Sequence, residues 1–324
     1  MIAEVWKTEK GGRRNITELL SSYSWSGDFQ SAVRELEFKL LSSPADGTPG
    51  VILELGDPIT LDIDGVTKFA GNVVFLTRQS EFGEIDVRCQ DRGRILKGNK
   101  ATYQFKNTTA EAAVGQIGAD WGIEIGETPS TGISLTRNFV GTDIFSIILT
   151  MFSLASEQNQ KKYVVRFDGL KLCVFEKAKP AQPVRICAKS NLMDLSVTES
   201  IENLVNRVQI LNKADKVSSS EEDSGSIEKY GLMQEQIKES DTAAQKAKQS
   251  LRDKAPQQKI TVNNLGDIRC LTGTVVELSE PHTGLVGDFY IDSDTHTWKR
   301  GQYYNKLVLN FKNIMSEKDA GKDK

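Results

Sequence analysis

The sequence is poor in the residues from which most metal and catalytic centres are built. Its 324 residues include two histidines, His282 and His296, and four cysteines. The histidines stand 14 residues apart in a strand-rich region, which excludes a two-histidine metal helix. The cysteines lack Cys-x-x-Cys spacing and lie in strand-like runs, so reduced thiols at half-buried positions are expected rather than a zinc site. They are Cys89, Cys173, Cys187 and Cys270.

Long apolar runs and an excess of one charge are missing as well. No apolar stretch approaches the roughly 20 residues that span a bilayer, and the first residues lack the basic start and apolar core of a signal peptide. A formal net charge of −3 gives no electrostatic reason to expect binding to nucleic acid or anionic membrane. We therefore expect synthesis in the cytoplasm, no membrane insertion and no sequence-specific nucleic-acid binding.

The usual catalytic and cofactor motifs are also absent. The sequence has no Gly-x-Ser-x-Gly, no phosphate loop and no dinucleotide fingerprint. Residues 292–296 resemble a calcium loop but lack its Gly and distal Glu, so a turn that binds local backbone is favoured. Glu221 and Glu222 lie in a polar stretch where nothing would tune their pKa values. The sequence therefore assigns no catalytic, cofactor-binding or metal residue and predicts no enzyme activity.

What the sequence does contain is mainly strand pattern. A chain of 324 residues is too long for one small core, which predicts two or three domains. Near the start, apolar and polar residues alternate in three runs, and Asp64 with Gly65 can supply the positive φ angles of a hairpin turn. The runs contain Val33, Leu36, Phe38 and Leu40; Ile59, Leu61 and Ile63; and Ile85, Val87 and Cys89. Short strands with Gly-rich turns and no long helix predict a small β-barrel or sandwich.

A mixed helix and strand pattern follows. Thr108 and Glu111 have the spacing of a capping box, which predicts that a helix begins there. An apolar helix is expected after Thr142, and a hairpin with its turn at Asp168 and Gly169 comes next. Three hydroxyl residues interrupt the apolar helix, which is also too short for a membrane span. They are Ser146, Thr150 and Ser153.

Residues 197–211 start polar and end as a strand with two distinct faces. Leu204, Asn206, Val208 and Ile210 fall on one side, and the residues between them fall on the other. The strand lies between an α+β segment and a polar stretch. We therefore expect it to re-enter a sheet after an excursion.

The polar stretch, residues 212–256, is dominated by Lys, Asp, Glu and Ser. Residues 218–225 cannot build a core and are expected to form a mobile loop. Residues 241–255 favour a helix with a narrow apolar stripe. The stripe consists of Ala244, Ala247 and Leu251.

Strand patterns return after residue 257, and parts of them echo the first barrel. Residues 55–59 are similar to 265–268, and residues 71–74 are similar to 273–276. The echo is short, but two related barrels would leave such a trace. The expected last strand contains Leu307, Val308, Leu309 and Phe311.

These patterns together predict a mostly β protein with an α+β part: two small β-barrel domains flank an α+β domain, with a charged loop and helix excursion. The predicted parts are a first barrel at 1–98, an α+β domain at 99–180, a second barrel at 181–211 and 257–314, the excursion at 212–256, and a flexible, solvated tail at 315–324.

Several segments, taken in order, resemble a known family. They are residues 15–20, 24–27, 56–59, 69–71, 103–111, 200–208, 229–231, 265–267, 287–291 and 296–298. In sequence and order they are similar to the XkdQ-like baseplate hub proteins of contractile phage tails and phage-tail-like bacteriocins, which are related to the late-control hub proteins of myophages.

The resemblance implies a structural role. In that family three copies form a ring whose two barrels per chain make a pseudo-sixfold surface, which joins the sixfold tail tube to the threefold central spike. It implies self-association as a homotrimer and contacts with the tail tube protein, the spike and other baseplate proteins. It also implies synthesis in a bacterial cytoplasm and incorporation into the baseplate of a phage or bacteriocin particle. No catalytic residue or cofactor is carried over.

Two other functions stay open at this point. One is a tail-associated cell-wall hydrolase, which would need a poised carboxylate, a Cys–His pair or a zinc site. The other is a carbohydrate-binding module, for which scattered tryptophans are available, although their spacing suits core packing better. The tryptophans are Trp6, Trp25, Trp121 and Trp298.

Overall fold

The computed structural model describes residues 1–41, 50–78, 83–240 and 242–322. Contacts within the chain group it into two compact units. The first comprises Met1–Leu195 and Thr261–Lys324, and the second comprises Ser196–Ile260.

The first unit contains most of the strands. Before its α+β part come β1 (Ala3–Glu9), β2 (Gly12–Asn15), a 3₁₀-helix (Thr17–Leu19), β3 (Leu20–Asp28), β4 (Glu35–Leu41), β5 (Pro58–Ile63), β6 (Val66–Arg78), β7 (Glu84–Asp91) and α1 (Gly93–Gly98). The α+β part contains β8 (Lys100–Thr108), α2 (Ala110–Trp121), β9 (Leu135–Asp143), α3 (Ile144–Asn159), β10 (Tyr163–Asp168) and β11 (Lys171–Glu176). After it come β12 (Val184–Cys187), β18 (Val275–Glu280), β19 (Leu285–Lys299) and β20 (Gln302–Asn310). Strands β13 (Leu192–Ser200) and β17 (Gln257–Leu265) cross the boundaries between the units.

One large sheet runs through the first unit. Its order is β13-β17-β20-β19-β3-β4-β7-β6-β5-β1-β2, with β18 paired to β19 and β12 paired in parallel to β18. The alternation predicted from sequence is confirmed in β4, where Leu36, Phe38 and Leu40 are all buried. The hairpin turn at Asp64 and Gly65 is confirmed too, with φ angles of 49° and 78°. The chain is therefore mostly β with an α+β part, as predicted, while the domain boundaries stay predictions.

Two parts of this sheet repeat one arrangement. Strands β5, β6 and β7 pair antiparallel in sequence order, as do β18, β19 and β20. A glycine with a φ of 91° precedes the first strand of each set, Gly56 or Gly273. Its N–H donates to the long second strand, to the carbonyl of Val73 or Ile291, 2.8 and 2.9 Å away. Directly after that carbonyl residue the pairing of both long strands shifts register.

In the structure, the residues that occupy equivalent positions in the two repeats are not those that the sequence echo paired. Gly56 corresponds to Gly273, not to Gly266, which follows β17 in an irregular connection. Val73 corresponds to Ile291, so the match of 71–74 with 273–276 is wrong as well. Equivalent backbone positions here share hydrogen bonds and φ angles rather than side chains, which is why a sequence echo misplaced them.

The α+β part has the predicted helices, but its strands are arranged differently. They form two separate antiparallel pairs, β8–β9 and β10–β11, instead of one short sheet. The hairpin turn predicted at Asp168 lies one residue later, because Asp168 pairs with Lys171 across a turn of Gly169 and Leu170. The apolar stripe of α3 is confirmed. It buries Ile144, Ile147, Ile148, Met151, Phe152 and Ala155.

The capping box at α2 is wrong in its details. Thr109, not Thr108, caps the helix by accepting from the Ala112 N–H at 3.3 Å. The Glu111 carboxylate does not reach back and instead accepts from Thr131 Oγ1 at 2.7 Å and from its neighbours. Partial burial alone would raise the pKa of Glu111, but these hydrogen bonds lower it to about 2. The residue therefore ties a loop to the helix.

The second unit has its own small sheet and core. Its elements are β14 (Arg207–Leu211), β15 (Val217–Glu222), α4 (Ser224–Tyr230), β16 (Gln234–Lys238) and α5 (Ala243–Asp253). Strand β14 lies in the middle, antiparallel to β15 and parallel to β16. The core contains Val208 and Ile210 from β14, with Ala243 and Ala247 from α5. The predicted two faces of residues 204–211 are confirmed, whereas re-entry of this strand into the earlier sheet is wrong.

Two further predictions for the polar stretch are corrected here. Residues 218–225 are not a loop, because they form most of β15 and the start of α4, which Asp223 caps through the Ser226 N–H at 3.0 Å. Backbone pairing with β14 supplies the order that the polar side chains cannot. The helix at 241–255 is present as α5, with Asp241 outside the described residues, but Ala243 rather than Ala244 faces the core.

Three predictions near the other end of the chain are also corrected. Cys270 is buried in the connection between β17 and β18 and does not lie in a strand. Phe311 follows β20 and is 55% exposed, so it does not close a core. The expected tail at 315–324 packs on β9 and α3 as far as Lys322, through hydrogen bonds that sequence periodicity does not reveal. Residues 323–324 lie outside the described residues.

Candidate functional site

In the sheet, β3 and β4 follow on from β7, and β13 and β17 follow on from β20 in the matching order, so we count them with the first and second repeat. The two repeats meet where β3 pairs with the second half of β19. The pairing is antiparallel and runs from Asp28 opposite Ser293 to Ser22 opposite Lys299. Since side chains alternate along a strand, each of the two strands has an inward and an outward set. We call this junction the seam. The inward side chains, other than Gly27, are large or charged, whereas most of the outward ones are short and polar.

An ion pair lies buried on the inner side of the seam. Arg34, just before β4, donates through Nη1 to Asp294 Oδ1 at 3.1 Å and through Nη2 to Oδ2. Both side chains are at most 2% exposed. The Thr272 N–H and hydroxyl also donate to Asp294 Oδ1, at 2.6 and 2.5 Å. Burial alone would raise the pKa of Asp294, but Arg34 and His296 hold it well below its usual range.

His296 extends this cluster along β19. Its Nε2 lies 3.2 Å from Asp294 Oδ2, and its Nδ1 lies 2.8 Å from Asn305 Nδ2. The Asp267 N–H donates to Asn305 Oδ1 at 2.6 Å, which fixes the orientation of that amide. Asn305 therefore directs its amide N–H to Nδ1, which also lies 2.6 Å from the Tyr303 hydroxyl, and Nε2 is the ring nitrogen that faces Asp294. The histidine is thus a structural link in the seam.

Aromatic rings surround the buried pair. The Arg34 guanidinium lies 4.0 Å from the centre of the Trp25 ring, a close cation–π contact. Gly27 makes room for it, because a Cβ at that position would lie 2.2 Å from Arg34 Nη1. A line of neighbouring rings continues from there along β19, β20 and β3, tilted between Trp25 and His296 and stacked beyond. It consists of Trp25, His296, Trp298, Tyr303 and Tyr23.

A second buried charge lies at the other end of the β19 pairing. The Lys177 side chain is fully buried, and its Nζ donates to Asp292 Oδ1 at 3.1 Å and to the Ile314 carbonyl at 2.8 Å. Burial lowers the pKa of Lys177, opposed by the nearby Asp292. The lysine therefore joins the end of the α+β part to β19 and to the chain that follows β20.

The outer side of the seam is a strip of short hydroxyl side chains. They are Ser22, Ser24 and Ser26 on β3 and Ser293, Thr295 and Thr297 on β19. Longer charged side chains flank the strip on β4 and β7, where Arg88 binds Glu37 at 2.7 Å. Two grooves of about 1010 and 400 Å³ lie at its ends. The face is broad, polar and partly exposed, which suits contact with another protein better than a small apolar ligand.

The residues that the sequence singled out as possible ligands are used for packing and pairing. Residues 292–296 form part of β19 rather than a turn, with Asp292, Asp294 and His296 all inward. Within residues 1–41, 50–78, 83–240 and 242–322, no group of three or more His, Cys, Asp or Glu could hold a metal. The turn that the sequence favoured for residues 292–296 is wrong, because these residues lie within β19. Sequence analysis did not identify Arg34. The alternation of β19 could have identified Asp294 and His296, because they lie two and four residues before the inward Trp298.

The other singled-out residues are not brought together. Glu222 pairs with Arg207 at 2.7 Å in the second unit, and His282 lies in the turn before β19. All four cysteines are free, and burial raises the pKa of Cys89, Cys173 and Cys270. Trp25 and Trp298 are buried and the other two tryptophans are half-buried, so the four rings form no shared platform. None of the described helices is long and apolar enough to cross a membrane.

Solved structures place this architecture in a class. A 43 kDa tail protein of prophage MuSo2 from Shewanella oneidensis matches with a TM-score of 0.68 and 13% identity, over 95% of this chain and 97% of that one. A tail protein from Neisseria meningitidis MC58 matches with a TM-score of 0.65 and 14% identity, over 98% of each chain. The fold is therefore that of these tail proteins.

The chain belongs to the YQBQ-like family, whose model matches residues 23–310. One relative is the phage-like element PBSX protein XkdQ of Bacillus subtilis, 23% identical over 307 residues. The match covers 91% of this chain and 94% of the relative. The family resemblance noted from the sequence is thereby confirmed.

Proposed function

We propose that this chain is a structural hub of a contractile tail baseplate and not an enzyme. Three copies form a ring that adapts the sixfold tail tube to the threefold central spike. The chain is made in a bacterial cytoplasm and incorporated into the baseplate of a phage or phage-tail-like particle. Its partners are its own copies, the tail tube protein, the spike and neighbouring baseplate proteins.

The names of its relatives support the general part of this proposal. Two solved proteins of the same fold are described as tail proteins, and a relative along nearly its whole length belongs to a phage-like element. Fold alone does not fix function, but a match over the whole chain leaves the same elements available for the same role.

The pairing at the seam is the main observation that supports a ring. In the second repeat, the latter half of β19 pairs with β3 of the first repeat. In the first repeat, β6 pairs with β5 only as far as Asn72, and no described strand occupies the matching side of its latter half. The strand that corresponds to β3 is β13, which lies at the end of the sheet and has a single partner among the described strands.

The latter half of β6 in one copy and β13 in the next copy are suited to pair with each other. If β13 of one chain pairs with the latter half of β6 in the next, the junction within a chain is repeated between chains. Such a contact is heterologous, so it closes a ring when the rotation per repeat allows. Three chains with two repeats each give six similar positions around one axis, which matches a threefold spike to a sixfold tube.

Counting copies around the axis of the assembled particle tests the proposal. An image of the baseplate with this chain located is expected to show three copies, with sheet pairing both within and between chains. The free protein can remain monomeric until its neighbours arrive, so its mass in solution does not decide the matter. Six copies or a single copy around the axis would reject the ring.

A further inference from the structure

The chain that follows β20 runs as an extended strap over α3 and β9. We define the strap as residues 314–322. It begins where the buried Lys177 Nζ binds the Ile314 carbonyl at 2.8 Å. Met315 then enters the core beside α3, and Ala320 packs against the same core from its edge.

The strap is held mainly through its backbone. The Lys318 N–H donates to Ser153 Oγ at 3.1 Å, and the Ala320 N–H donates to Thr150 Oγ1 at 3.2 Å. Arg137 Nε donates to the Ala320 carbonyl at 2.9 Å. Two of the three hydroxyl residues that interrupt the apolar pattern of α3 are therefore acceptors for the strap.

The end of the strap adds a short piece of strand to β9. Lys322 and Asn138 exchange backbone hydrogen bonds of 2.9 and 3.1 Å as an antiparallel bridge. Gly321, with a φ of 76°, brings the chain close, since a Cβ there would lie 2.4 Å from the Asn138 carbonyl oxygen. This groove therefore selects an extended peptide with glycine at one position.

Side chains contribute few contacts along the strap. Met315 is the one buried side chain, whereas Glu317, Lys318, Asp319 and Lys322 are exposed. Two ion pairs add to the backbone bonds, Lys162 with Glu317 at 3.0 Å and Arg137 with Asp319. A segment with so little buried surface opens more readily than a core element. Opening leaves buried acceptors and the Met315 site exposed, which favours filling the groove again with an equivalent segment.

We propose that this groove is a peptide-binding site for residues 314–322, and that neighbouring copies of the chain exchange these segments. The proposal rests on the proposed function, because a ring brings copies side by side. A second copy supplies the identical segment, so every contact of residues 314–322 is restored. The connection 311–313 changes, including the hydrogen bond of Asn313 Nδ2 to the Lys177 carbonyl at 2.9 Å. Three extended residues span about 10 Å, and exchange of an identical element is a low-cost route to association.

Paired cysteines at the bridge test the exchange. Residues that exchange both backbone bonds in an antiparallel pair have Cα atoms about 5.5 Å apart, within the range for a disulfide. The Asn138→Cys/Lys322→Cys variant is incorporated into particles, oxidised and run on a denaturing gel without reductant. Covalent multimers of this chain are expected in particles, and closed monomers are expected for the dilute free protein.

Two controls define the background. The parent chain measures cross-links through its own cysteines, and Asn138→Cys/Lys312→Cys places the second thiol on an exposed residue outside the strap. Particles in which the bridge variant closes only within single chains would reject the exchange. Copy number is read from the same particles, so three copies without cross-links reject the exchange and leave the ring intact.

A peptide added in trans tests the groove itself. A chain that ends at Asn313 is titrated with a synthetic peptide of residues 314–322, after circular dichroism has shown that it is folded. Saturable binding is expected for the truncated chain and not for the full chain. The Gly321→Ala peptide is expected to bind at least tenfold more weakly. Equal binding of a scrambled peptide, or none by the natural one, rejects the site; if the truncated chain does not fold, the cross-link result decides.

Discussion

At the scale of single residues, the buried pair of Arg34 and Asp294 has a large effect if one partner is lost. Breaking a buried pair by removing one charge costs about 3–5 kcal/mol, because the other charge stays buried without a partner. We predict that Arg34→Met lowers the free energy of unfolding by this amount. Urea unfolding followed by fluorescence measures it.

A surface pair provides the control. Arg88 and Glu37 lie 2.7 Å apart with side chains 47% and 49% exposed. Exposed pairs contribute about 0–1 kcal/mol, so Arg88→Met should change stability little. Similar losses for both arginines would contradict a special role for the seam pair.

Asp91 gives a prediction about pH. Its side chain is 2% exposed and accepts from the Gly93 N–H at 2.9 Å. Burial raises its pKa to about 7, although that N–H and Arg34 oppose the rise. Between about pH 4 and pH 7 the native carboxyl keeps its proton while the unfolded one has lost it, so stability falls as pH rises. The total loss is at most about 4 kcal/mol.

The Asp91→Asn variant should lack this dependence. We expect the difference in unfolding free energy between variant and parent to shift in favour of the variant from pH 4.5 to pH 7, as measured by urea unfolding at each pH. A pH-independent difference for Asp91→Asn would show that Asp91 is ionised throughout this range.

At the scale of elements, the cap of α2 allows a sharp comparison between adjacent threonines. Thr109 accepts from the Ala112 N–H, whereas the Thr108 hydroxyl donates to the Lys106 carbonyl at 3.2 Å. Loss of an N-cap costs about 1 kcal/mol. Thermal unfolding should therefore show a larger loss for Thr109→Ala than for Thr108→Ala. The reverse order would restore the cap that the sequence first suggested.

Strand β15 should show alternating amide protection. The Asp223 N–H donates to the Asn206 carbonyl at 2.9 Å, and the register continues with Glu221 opposite Val208. In an antiparallel pair, alternate residues bond to the partner and the others face the open edge. Hydrogen exchange should find Glu221 and Asp223 slower than Ser220 and Glu222. Uniformly fast exchange would instead fit the mobile loop expected from composition.

The elements that could be predicted from sequence are those whose order comes from their own side chains. The stripe of α3 and the alternation in β4 fix their burial directly, since apolar period and structure agree there. Strand β15 and the strap carry no such period, because backbone bonds to β14 and β9 hold them. Their partners are distant in sequence or polar, so composition predicted disorder for both.

The site follows the same rule. Alternation along β19 places Asp294 and His296 inward with Trp298, which a sequence can show. Arg34 lies 260 positions from Asp294, before a strand with no charge in its inward set, and only the fold brings the two together. Long-range pairs between single residues leave no local pattern.

At the scale of the whole molecule, the first strands are not self-sufficient. Their core includes Trp298, which stacks on Tyr23 with ring centres 5.0 Å apart, and Tyr303 packs against it. Without the second repeat, β3 loses β19 as a partner and Arg34 loses Asp294. Removal of one large aromatic side chain alone costs about 3–5 kcal/mol, against a typical total stability of about 5–15 kcal/mol.

We therefore predict that residues 1–98, expressed alone, do not fold. Their amide proton spectrum should show poor dispersion and no cooperative thermal transition, whereas the full chain shows both dispersion and a transition. Sequence analysis predicted a domain boundary at residue 98 because the strand pattern ends there. A segment that ends where a pattern ends need not fold independently. A well-dispersed spectrum with a cooperative transition for the fragment would establish residues 1–98 as an independent barrel and confine the seam to a contact between domains.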